Sequence, residues 1–366
     1  MRVCHITSVH NQYDSRILYK ECKSIADVNH EVTFLVINGK TELLEGVNII
    51  GVPFVSSGRI NRILNAGKTL LNTALNIDAD IYHLHDPELL RIAVKLKRKS
   101  GAKVIYDSHE DLPKQVLDKH WIPKFMRKKV SYFVNKYELS IAKKIDGIVS
   151  VTDKICNRFK VANPNVVLVA NYPIIKEFDK YKKKINKQPN SICYIGGISE
   201  ERGIKELVQA LPNTNAKLLL AGNFFTQELE KQVKAMDGWK QVEYFGVVNR
   251  EKIVEILQLS QLGIVALHPT ESYKESLPIK MFEYMLASIP FVASNFKFWE
   301  DIIFKSNCGL TVDPLNIEEI ASNINQLLNN KEKAIQLGEN GRKAIEEKYS
   351  WDSQAENLLG LYDSLV

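Results

Sequence analysis

The chain lacks the features that would place it in a membrane or crosslink it. It contains no run of 18 or more apolar residues, the length that a membrane-spanning helix needs. Its start, Met1-Arg-Val-Cys-His-Ile-Thr7, predicts a strand and shows no signal-peptide pattern, so a cytoplasmic location is expected. An odd number of cysteines without CxxC spacing indicates neither disulfides nor zinc. These cysteines are Cys4, Cys22, Cys156, Cys193 and Cys308.

The composition is that of a globular protein. The chain has 366 residues, of which 45% are hydrophobic and 25% are charged. This length is sufficient for two domains. Residues 1–185 hold 31 Lys and Arg against 19 Asp and Glu, a net +12, and the remainder is −6. A basic half beside an acidic half favours an anionic surface or substrate for the first half, or simply a solvated basic surface. No nucleic-acid partner is expected.

The most informative pattern lies around Glu275 and Glu283, two carboxylates eight positions apart. Apolar spacing predicts a helix from Pro278, which places Glu275 in the preceding loop and Glu283 inside the helix. Buried-strand patterns at 262–267 and 290–294 flank this segment, and α/β proteins bind ligands at such strand ends. One carboxylate would hold a sugar and the other a ribose, with the helix N-terminus facing a diphosphate. The alternative is two ordinary surface glutamates.

This segment resembles the donor-site signature of retaining glycosyltransferase family 4. The resemblance implies an α/β protein of the GT-B fold, with two Rossmann-like domains whose parallel sheets face each other across a cleft. It implies that Glu275 acts on the transferred sugar and that Glu283 binds the ribose. It further implies a UDP- or GDP-linked sugar donor, no other cofactor, no metal and no protein nucleophile. The adjacent residues Ser276, Leu277 and Pro278 are expected to bind the donor.

A second donor loop is predicted at Gly196-Gly197, where a glycine pair after a strand lets the backbone approach a phosphate. Family 4 proteins usually carry arginine at the place of Gly197 and lysine at that of Arg202, so this chain keeps a cation at the second place alone. We expect Arg202 to bind the diphosphate, helped by Lys205 or Arg16. Further donor-binding residues predicted after neighbouring strands are Gly222, Asn223 and Val247.

Polar side chains also follow the predicted strands of the first half. The first loop carries His10, Asp14 and Arg16 without any glycine before Gly39, and it resembles a family branch involved in cell-surface polysaccharide synthesis. The alternative is that Asp14 and Arg16 pair and cap the next helix. His109 matches the family histidine that contacts the transferred sugar near the reacting carbon. His85 and Glu110 are further predicted acceptor or loop residues.

The segment 121–144 combines aromatic residues at helical spacings with clustered positive charge. It is either an amphipathic element on an anionic membrane face or a packed helix with a basic outer face. The aromatic and aliphatic residues are Phe125, Phe133, Tyr137 and Ile141, and the cations are Lys124, Arg127, Lys128, Lys129 and Lys136.

These observations predict an acceptor domain at 1–175 completed by a C-terminal helix at 350–366, a linker at 176–190 and a donor domain at 191–349. The predicted function is retaining transfer of a hexosyl group from a nucleotide-sugar to a glycan or lipid-linked acceptor in surface polysaccharide synthesis. The expected location is the cytoplasm, or the inner face of the plasma membrane. A sugar-nucleotide epimerase of the same fold and a non-catalytic subunit of a polysaccharide complex are the alternatives.

Overall fold

The computed structural model describes residues 1–55, 59–119, 121–183 and 185–366, without the side chains of 59–64. The chain divides into two compact units. Unit 1 comprises Met1–Asn171 together with Trp351–Val366, and unit 2 comprises Tyr172–Ser350.

Unit 1 is built on one twisted sheet whose strand order, over the described residues, is β3-β4-β2-β1-β5-β6-β7-β8. Every pairing is parallel except that of β3 with β4. The strands are nearly continuous apolar runs because helices cover both faces of a parallel sheet. They are β1 (Arg2–Thr7), β2 (Glu31–Ile37), β3 (Glu42–Leu44), β4 (Val47–Val52), β5 (Ile81–Leu84), β6 (Lys103–Ser108), β7 (Gly147–Ser150) and β8 (Val166–Leu168).

Two helices of unit 1, α3 (Leu90–Ser100) and α6 (Asp153–Lys160), have a recognisable cap at one end. Thr152 accepts a hydrogen bond from the backbone of Ile155, and Gly101 ends its helix in the left-handed region that glycine tolerates. A π-helical turn, Ile17–Cys22, precedes the first α-helix. The α-helices are α1 (Lys23–Asp27), α2 (Arg59–Ala74), α3 (Leu90–Ser100), α4 (Leu112–Asp118), α5 (Lys124–Ala142) and α6 (Asp153–Lys160).

Unit 2 contains an all-parallel sheet with the described strand order β11-β10-β9-β12-β13-β14. This order reverses direction between β9 and β12, as in dinucleotide-binding folds. In chain order its elements are α7 (Ile175–Tyr181), β9 (Ser191–Ile195), α8 (Ile204–Ala210), β10 (Lys217–Ala221), α9 (Gln227–Lys234), β11 (Val242–Gly246), α10 (Arg250–Leu259), β12 (Leu262–Val265), α11 (Ile279–Leu286), β13 (Phe291–Ser294), α12 (Lys297–Ser306), β14 (Gly309–Val312), α13 (Ile317–Asn329) and α14 (Lys331–Glu347). The prediction of two parallel-sheet α/β domains is confirmed.

The segment predicted as a linker, 176–190, lies within unit 2 instead. Most of its first half forms α7, whose Phe178 is buried and whose Glu177 pairs with Arg250 on α10. Its polar, basic composition hid this helix because Lys176, Asp179 and Lys180 lie on the exposed side of α7. The chain then returns to unit 1 through the last helix, α15 (Trp351–Leu365), which packs against β7 and β8.

Candidate functional site

The donor segments predicted from the sequence meet at the reversal point of the unit 2 sheet. Strands β9 and β12 lie side by side there, and a crevice beyond the carboxyl ends of such strands is the usual ligand site of an open α/β sheet. The loop after β9 carries the glycine pair, and the segment after β12 carries Glu275. The topology therefore brings together two regions that are about 80 residues apart in sequence.

Two glycines permit close backbone approach between neighbouring loops. Gly222, at φ +143°, would place a Cβ 1.9 Å from the carbonyl oxygen of Gly196, which no other residue tolerates. Gly196 itself adopts φ +129°. The two loops are joined by a hydrogen bond from the backbone N–H of Ile198 to the carbonyl of Asn223, at 2.8 Å. Gly196, Gly197 and Gly222 thus form a narrow strip of glycines, and the ring of Phe225 packs on it at Gly197, where a Cβ would lie 2.6 Å from the ring.

Two cations converge on this strip. The guanidinium of Arg202 donates to the carbonyl of Gly197 at 3.1 Å and lies over the ring of Phe225 at 5.4 Å. Lys280 reaches the same strip from the first turn of α11, since a Cβ on Gly196 would lie 2.8 Å from its Cε. Arg202 was predicted here, whereas Lys280 was missed.

Lys280 is held without an anion. Its Nζ lies 3.3 Å from the hydroxyl oxygen of Tyr194 and 4.5 Å from the ring centre, with no carboxylate at ion-pair distance in the described part of the chain. Burial and the charge of Arg202 lower the pKa of Lys280 to about 7. A cation held in this way is suited to accept an anionic ligand. In the sequence, the only sign of this role was that Lys280 lies two positions after Pro278, at the start of the predicted helix.

The predicted donor residues around Glu275 are ordered by local hydrogen bonds. Glu275 ends a 3₁₀ turn, Tyr273–Glu275, and is partly exposed. Ser276 accepts a hydrogen bond on its carbonyl from the indole N–H of Trp299 at 2.7 Å. Leu277 leads into Pro278, which is the N-cap of α11 rather than its first helical residue. The N-terminus of α11 leaves backbone N–H groups available beside this loop.

Glu283 lies one turn inside α11 and is engaged by Arg250. The Arg250 guanidinium pairs with the Glu283 carboxylate and also with Glu177, whose Oε1 lies 3.0 Å from Arg250 Nε. These contacts position the Glu283 carboxylate, which is largely buried.

The remaining predicted donor residues lie near the strip with less defined contacts. Lys205 pairs with Glu200 at 3.2 Å, so its charge is already compensated. Asn223 is exposed, and Val247, just after β11, is 76% exposed.

In unit 1 the loop after β1 is organised by two carboxylates. Asp86 Oδ2 accepts hydrogen bonds from the Thr7 hydroxyl at 2.9 Å and from the backbone N–H of Ser8 at 2.6 Å. His10 lies between Asp14, at 3.1 Å, and Asp86, at 3.5 Å. Burial acts to lower the pKa of His10, but the hydrogen bond with Asp14 and the charge of Asp86 raise it on balance.

Arg16 does not remain available for a phosphate. Its guanidinium is buried and pairs with Asp107 at 3.0 Å and Glu21 at 2.9 Å, and it donates to the Val169 carbonyl at 2.8 Å. The expectation that Arg16 helps to bind the diphosphate is therefore wrong for this structure. The alternative from the sequence was that Asp14 and Arg16 pair and cap the next helix. Asp14 does accept hydrogen bonds from the backbone N–H groups of Arg16 and Ile17, at the start of the π-helical turn.

His109 follows β6 and is oriented by its neighbours. Its Nε2 lies 3.0 Å from Asp107 Oδ2 and 3.1 Å from His85 Nδ1, and its ring centre is 5.1 Å from that of His10. Burial lowers the pKa of His85 to about 4, so this imidazole is neutral near pH 7. His10, Asp14, His85 and His109 are thus brought together at one edge of the sheet.

Two carboxylate features lie apart from this group. Glu110 is exposed, and only its backbone carbonyl has a described contact, accepting from the Ser108 hydroxyl at 3.1 Å. Asp78 and Asp80 form an Asp-x-Asp pattern at the amino end of β5, opposite to the strand ends discussed above. Both pair with Arg2.

Helix α5 exposes its aromatic residues. Phe125 is 81% exposed and Phe133 is 67% exposed, and Trp121 just before the helix is 70% exposed. The helix packs against α4 and α3, as the packed-helix alternative expects, but these aromatic rings lie outside that packing. The part of the chain that the structure describes contains no helix with both the length and the hydrophobicity of a transmembrane span.

Two family models together match most of the chain. The model described as Glycosyltransferase Family 4 matches residues 15–171, and the one described as Glycosyl transferases group 1 matches residues 175–344. The two-sheet architecture and these domains define a GT-B glycosyltransferase. The chain belongs to the family 4 type of these proteins, which confirms the resemblance found in the sequence.

Individual relatives are distant. The chain is 25% identical over 193 residues to the capsular polysaccharide biosynthesis glycosyltransferase CapM of Staphylococcus aureus, covering 51% of this chain and 49% of CapM. The chain spans about half the length of the curated relatives it matches.

Solved structures match over the whole chain. Sucrose-phosphate synthase from Thermosynechococcus elongatus superposes with a TM-score of 0.80 at 16% identity, covering 100% of this chain and 99% of that one. Anabaena Alr3699/HepE in complex with UDP-glucose gives 0.73 at 14% identity, covering 100% of both. At these identities the likeness establishes the fold.

Proposed function

We propose that the protein transfers a sugar from a nucleoside diphosphate sugar to a hydroxyl of a glycan or lipid-linked acceptor, with retention of the anomeric configuration. The observation that carries the proposal is the strip of glycines at Gly196 and Gly197, with Arg202 and Lys280 converging on it. A diphosphate needs close backbone approach and positive charge, and this strip offers both. HepE, a structural neighbour, was crystallised with UDP-glucose, which supports a donor of the same class.

In this proposal the protein accelerates transfer by stabilising the departing diphosphate. As the bond between the anomeric carbon and the diphosphate oxygen breaks, negative charge grows on the phosphates beside Arg202 and Lys280. Charge placed in advance where it develops is commonly the largest contribution to catalysis, at about 3–4 kcal/mol for a well-placed donor. The backbone N–H groups at the start of α11 add to this stabilisation.

We assign positions on the donor to the two glutamates of α11 and its preceding turn. Glu283, fixed by Arg250, binds the ribose hydroxyls, since a carboxylate accepts two hydrogen bonds from neighbouring hydroxyls. Glu275 binds hydroxyls of the transferred sugar and orients its anomeric carbon. Acceptor recognition is assigned to unit 1, with His109 and His10 as the hydrogen-bonding groups at its strand ends.

We further propose that the aromatic and basic face of α5 docks on an anionic membrane surface, where a lipid-linked acceptor would be reached. Exposed aromatic side chains beside Lys124, Lys128 and Lys129 match a surface that inserts rings at the headgroup level and attracts anionic lipids. CapM, a sequence relative, is a capsular polysaccharide biosynthesis glycosyltransferase, which supports an envelope polymer as the acceptor class.

The experiment that tests this function is mass spectrometry of the protein incubated with UDP- and GDP-sugars, with and without polyprenyl-phosphate-linked acceptors. A glycosylated acceptor with the expected mass increase and an α-linkage from an α-donor supports the proposal. Conversion of the sugar nucleotide to an epimer without acceptor would instead identify an epimerase of the same fold. Tight binding of a sugar nucleotide without turnover on any acceptor would favour a non-catalytic binding subunit.

A further inference from the structure

A cluster of three histidines and one glutamate lies in the interior of unit 1, behind the loop that carries His10. His5 on β1 and His83 on β5 are paired in register on adjacent parallel strands, and His85 follows on the same face as His83. Glu21 enters from the π-helical turn Ile17–Cys22, a distortion that often occurs at functional sites. All four side chains are buried.

The four side chains converge on one point. His5 Nδ1 and His85 Nε2 are 2.8 Å apart, and each lies 3.9 Å from Glu21 Oε2. One ligand atom from each of the four, His83 included, lies within 4.8 Å of the others. The three ring centres form a nearly equilateral triangle with sides of 4.7, 4.8 and 5.0 Å. The three ring planes are inclined to one another by 13° to 32°.

Outward-facing atoms of the cluster are already held. The Tyr362 hydroxyl contacts His83 Nδ1 at 2.6 Å and His5 Nε2 at 3.2 Å, and so it is shared by two of the rings. Arg16 Nε contacts Glu21 Oε1 at 2.9 Å. His85 Nδ1 faces Asp107 Oδ2 at 3.5 Å and His109 Nε2 at 3.1 Å. Hydrogen bonds of this kind fix the tautomer and orientation of metal-binding side chains.

Of the four inward-facing atoms, His5 Nδ1 and His85 Nε2 are hydrogen-bonded to each other at 2.8 Å, and the other two are not satisfied within the described part of the chain. His83 Nε2 and Glu21 Oε2 are buried without a hydrogen-bond partner among the described residues. Buried polar atoms in this condition are uncommon because leaving them unsatisfied costs free energy. A single cation at the centre would satisfy both of them and separate the two close nitrogens of His5 and His85.

We propose that His5, Glu21, His83 and His85 bind one divalent transition-metal ion, Zn²⁺ by preference. Three imidazoles and one carboxylate suit Zn²⁺ and its neighbours in the first transition row, whereas Mg²⁺ and Ca²⁺ prefer oxygen ligands. Four protein ligands complete a tetrahedral shell, which is the pattern of a structural site. The ion ties β1, β5 and the π-helical turn together and so supports the loop with His10 and Asp14. It is separate from the donor site of unit 2.

A second set of candidate ligands, His85, Asp107 and His109, shares His85 with this cluster. It is less suited to an ion because Arg16 donates to both carboxylate oxygens of Asp107, whereas it contacts Oε1 of Glu21 and leaves Oε2 facing the cluster. The two sets are distinguished by substitution, since His109→Gln removes a ligand from the second set and none from the first.

The test uses the full-length protein purified without chelators or a histidine tag. Elemental analysis should find about one zinc per chain. Removal of the ion by a chelator should lower the melting temperature, and Zn²⁺ should restore it. Co²⁺ added to the metal-free protein should give the visible absorption of a tetrahedral site. The proposal would be overturned if the wild-type protein contained no metal, took up no Co²⁺ and had the same melting temperature with Zn²⁺ as with a chelator.

Variants then locate the site. His83→Asn and Glu21→Gln should lose most of the bound metal, and Tyr362→Phe should weaken metal affinity by about 10–100-fold. His268→Gln, a histidine of unit 2 paired with Glu206, and His109→Gln should retain it. Full metal content in both His83→Asn and Glu21→Gln would place the ion elsewhere and refute the assignment. Neither metal content nor melting temperature depends on sugar transfer. The metal site is therefore tested independently of the proposed function.

Discussion

The ammonium group of Lys280 lies 3.3 Å from the hydroxyl of Tyr194, which in turn donates to the carbonyl of Gly197 at 2.9 Å. A lysine from α11 is thereby fixed beside the glycine at which family 4 proteins usually carry arginine. The charge missing from the loop after β9 is supplied from a different element. In the proposed donor site, Arg202 and Lys280 are therefore the two cations, in spite of the altered loop.

We predict that Lys280→Met lowers the affinity for UDP or GDP by about 10–150-fold, since a hydrogen bond to a charged group contributes about 1.5–3 kcal/mol. Arg202→Ala should have a comparable effect. Calorimetric titration of the bare nucleotide measures both. Lys297→Met removes an exposed lysine of α12 and should leave binding unchanged. Wild-type affinity in Lys280→Met would show that this lysine does not face the diphosphate.

The depressed pKa of Lys280 predicts a pH dependence of donor binding. The protonated form binds the diphosphate, and with a pKa of about 7 half of the lysine has lost its proton at pH 7 in the free protein. Affinity for a UDP-sugar should therefore be full below about pH 6 and fall as the pH rises toward 9. The charged or titratable groups that face Lys280 are Arg202, Tyr194 and Glu283.

Titrations at several pH values in buffers of different ionisation enthalpy check this prediction, because binding above pH 7 should take up a proton. Lys280→Arg should retain affinity and abolish the proton uptake, since arginine stays charged throughout. A pH-independent affinity in wild type between pH 6.5 and about 9 would contradict the assignment.

The sequence predicted the two-sheet fold because parallel strands buried on both faces leave a strong apolar signal followed by abrupt polarity. It also selected Glu275, Glu283, Arg202 and the glycine pair as candidate donor residues, because the spacing within each motif is local. Lys280 was missed because its role depends on Tyr194, 86 positions away, and on a strand order that periodicity does not reveal. The linker was misplaced because Phe178 is one buried aromatic residue in a charged segment.

The two glutamates of the donor segment should differ in their effects. Glu283→Gln should raise the dissociation constant of the bare nucleotide, because Glu283 is assigned to the ribose. Glu275→Gln should leave that constant nearly unchanged and lower turnover. Glu177→Gln is the matched control, since it removes another carboxylate paired with Arg250 without touching α11. Equal effects of Glu275→Gln and Glu283→Gln on nucleotide binding would reject the assignment.

Arg16 should act through stability rather than through phosphate binding. Arg16→Met leaves Asp107 and Glu21 buried without their cation, and breaking such a pair costs about 3–5 kcal/mol. Urea unfolding followed by circular dichroism measures the loss, and nucleotide affinity of the folded fraction should be unchanged. A variant of normal stability with weakened nucleotide binding would restore the original phosphate role.

The buried ion pairs of unit 1 show why contacts between residues that are distant in sequence could not be predicted from the sequence. Arg16 looked like a phosphate ligand because it follows a polar loop at the start of a helix. Its true partner, Asp107, lies 91 positions later and is buried beneath the same loop. His83 and His85 left a detectable signal, since two histidines at alternate positions of an apolar strand must point to the same face.

Membrane docking by α5 is predicted to depend on its exposed lysines. Each one near an anionic leaflet contributes about 1 kcal/mol, so charge reversal of Lys124, Lys128 and Lys129 together should abolish binding to anionic vesicles. Arg127 is excluded from this set because it donates to the carbonyls of Ile122 and Leu117 and so stabilises the turn before the helix. Phe125→Ser with Phe133→Ser should also weaken binding while the domain stays folded, because both rings are exposed.

Vesicle co-sedimentation with anionic and neutral lipids at low and high salt measures this binding, with circular dichroism as the check on folding. The matched control reverses three exposed lysines of unit 2, Lys231, Lys240 and Lys331, and so changes the net charge equally. It should bind like wild type if the α5 face is the docking surface. Equal loss in both triple variants would indicate attraction by overall charge alone. Wild-type sedimentation that is the same with neutral and anionic vesicles would show that the lysines of α5 do not recognise the membrane.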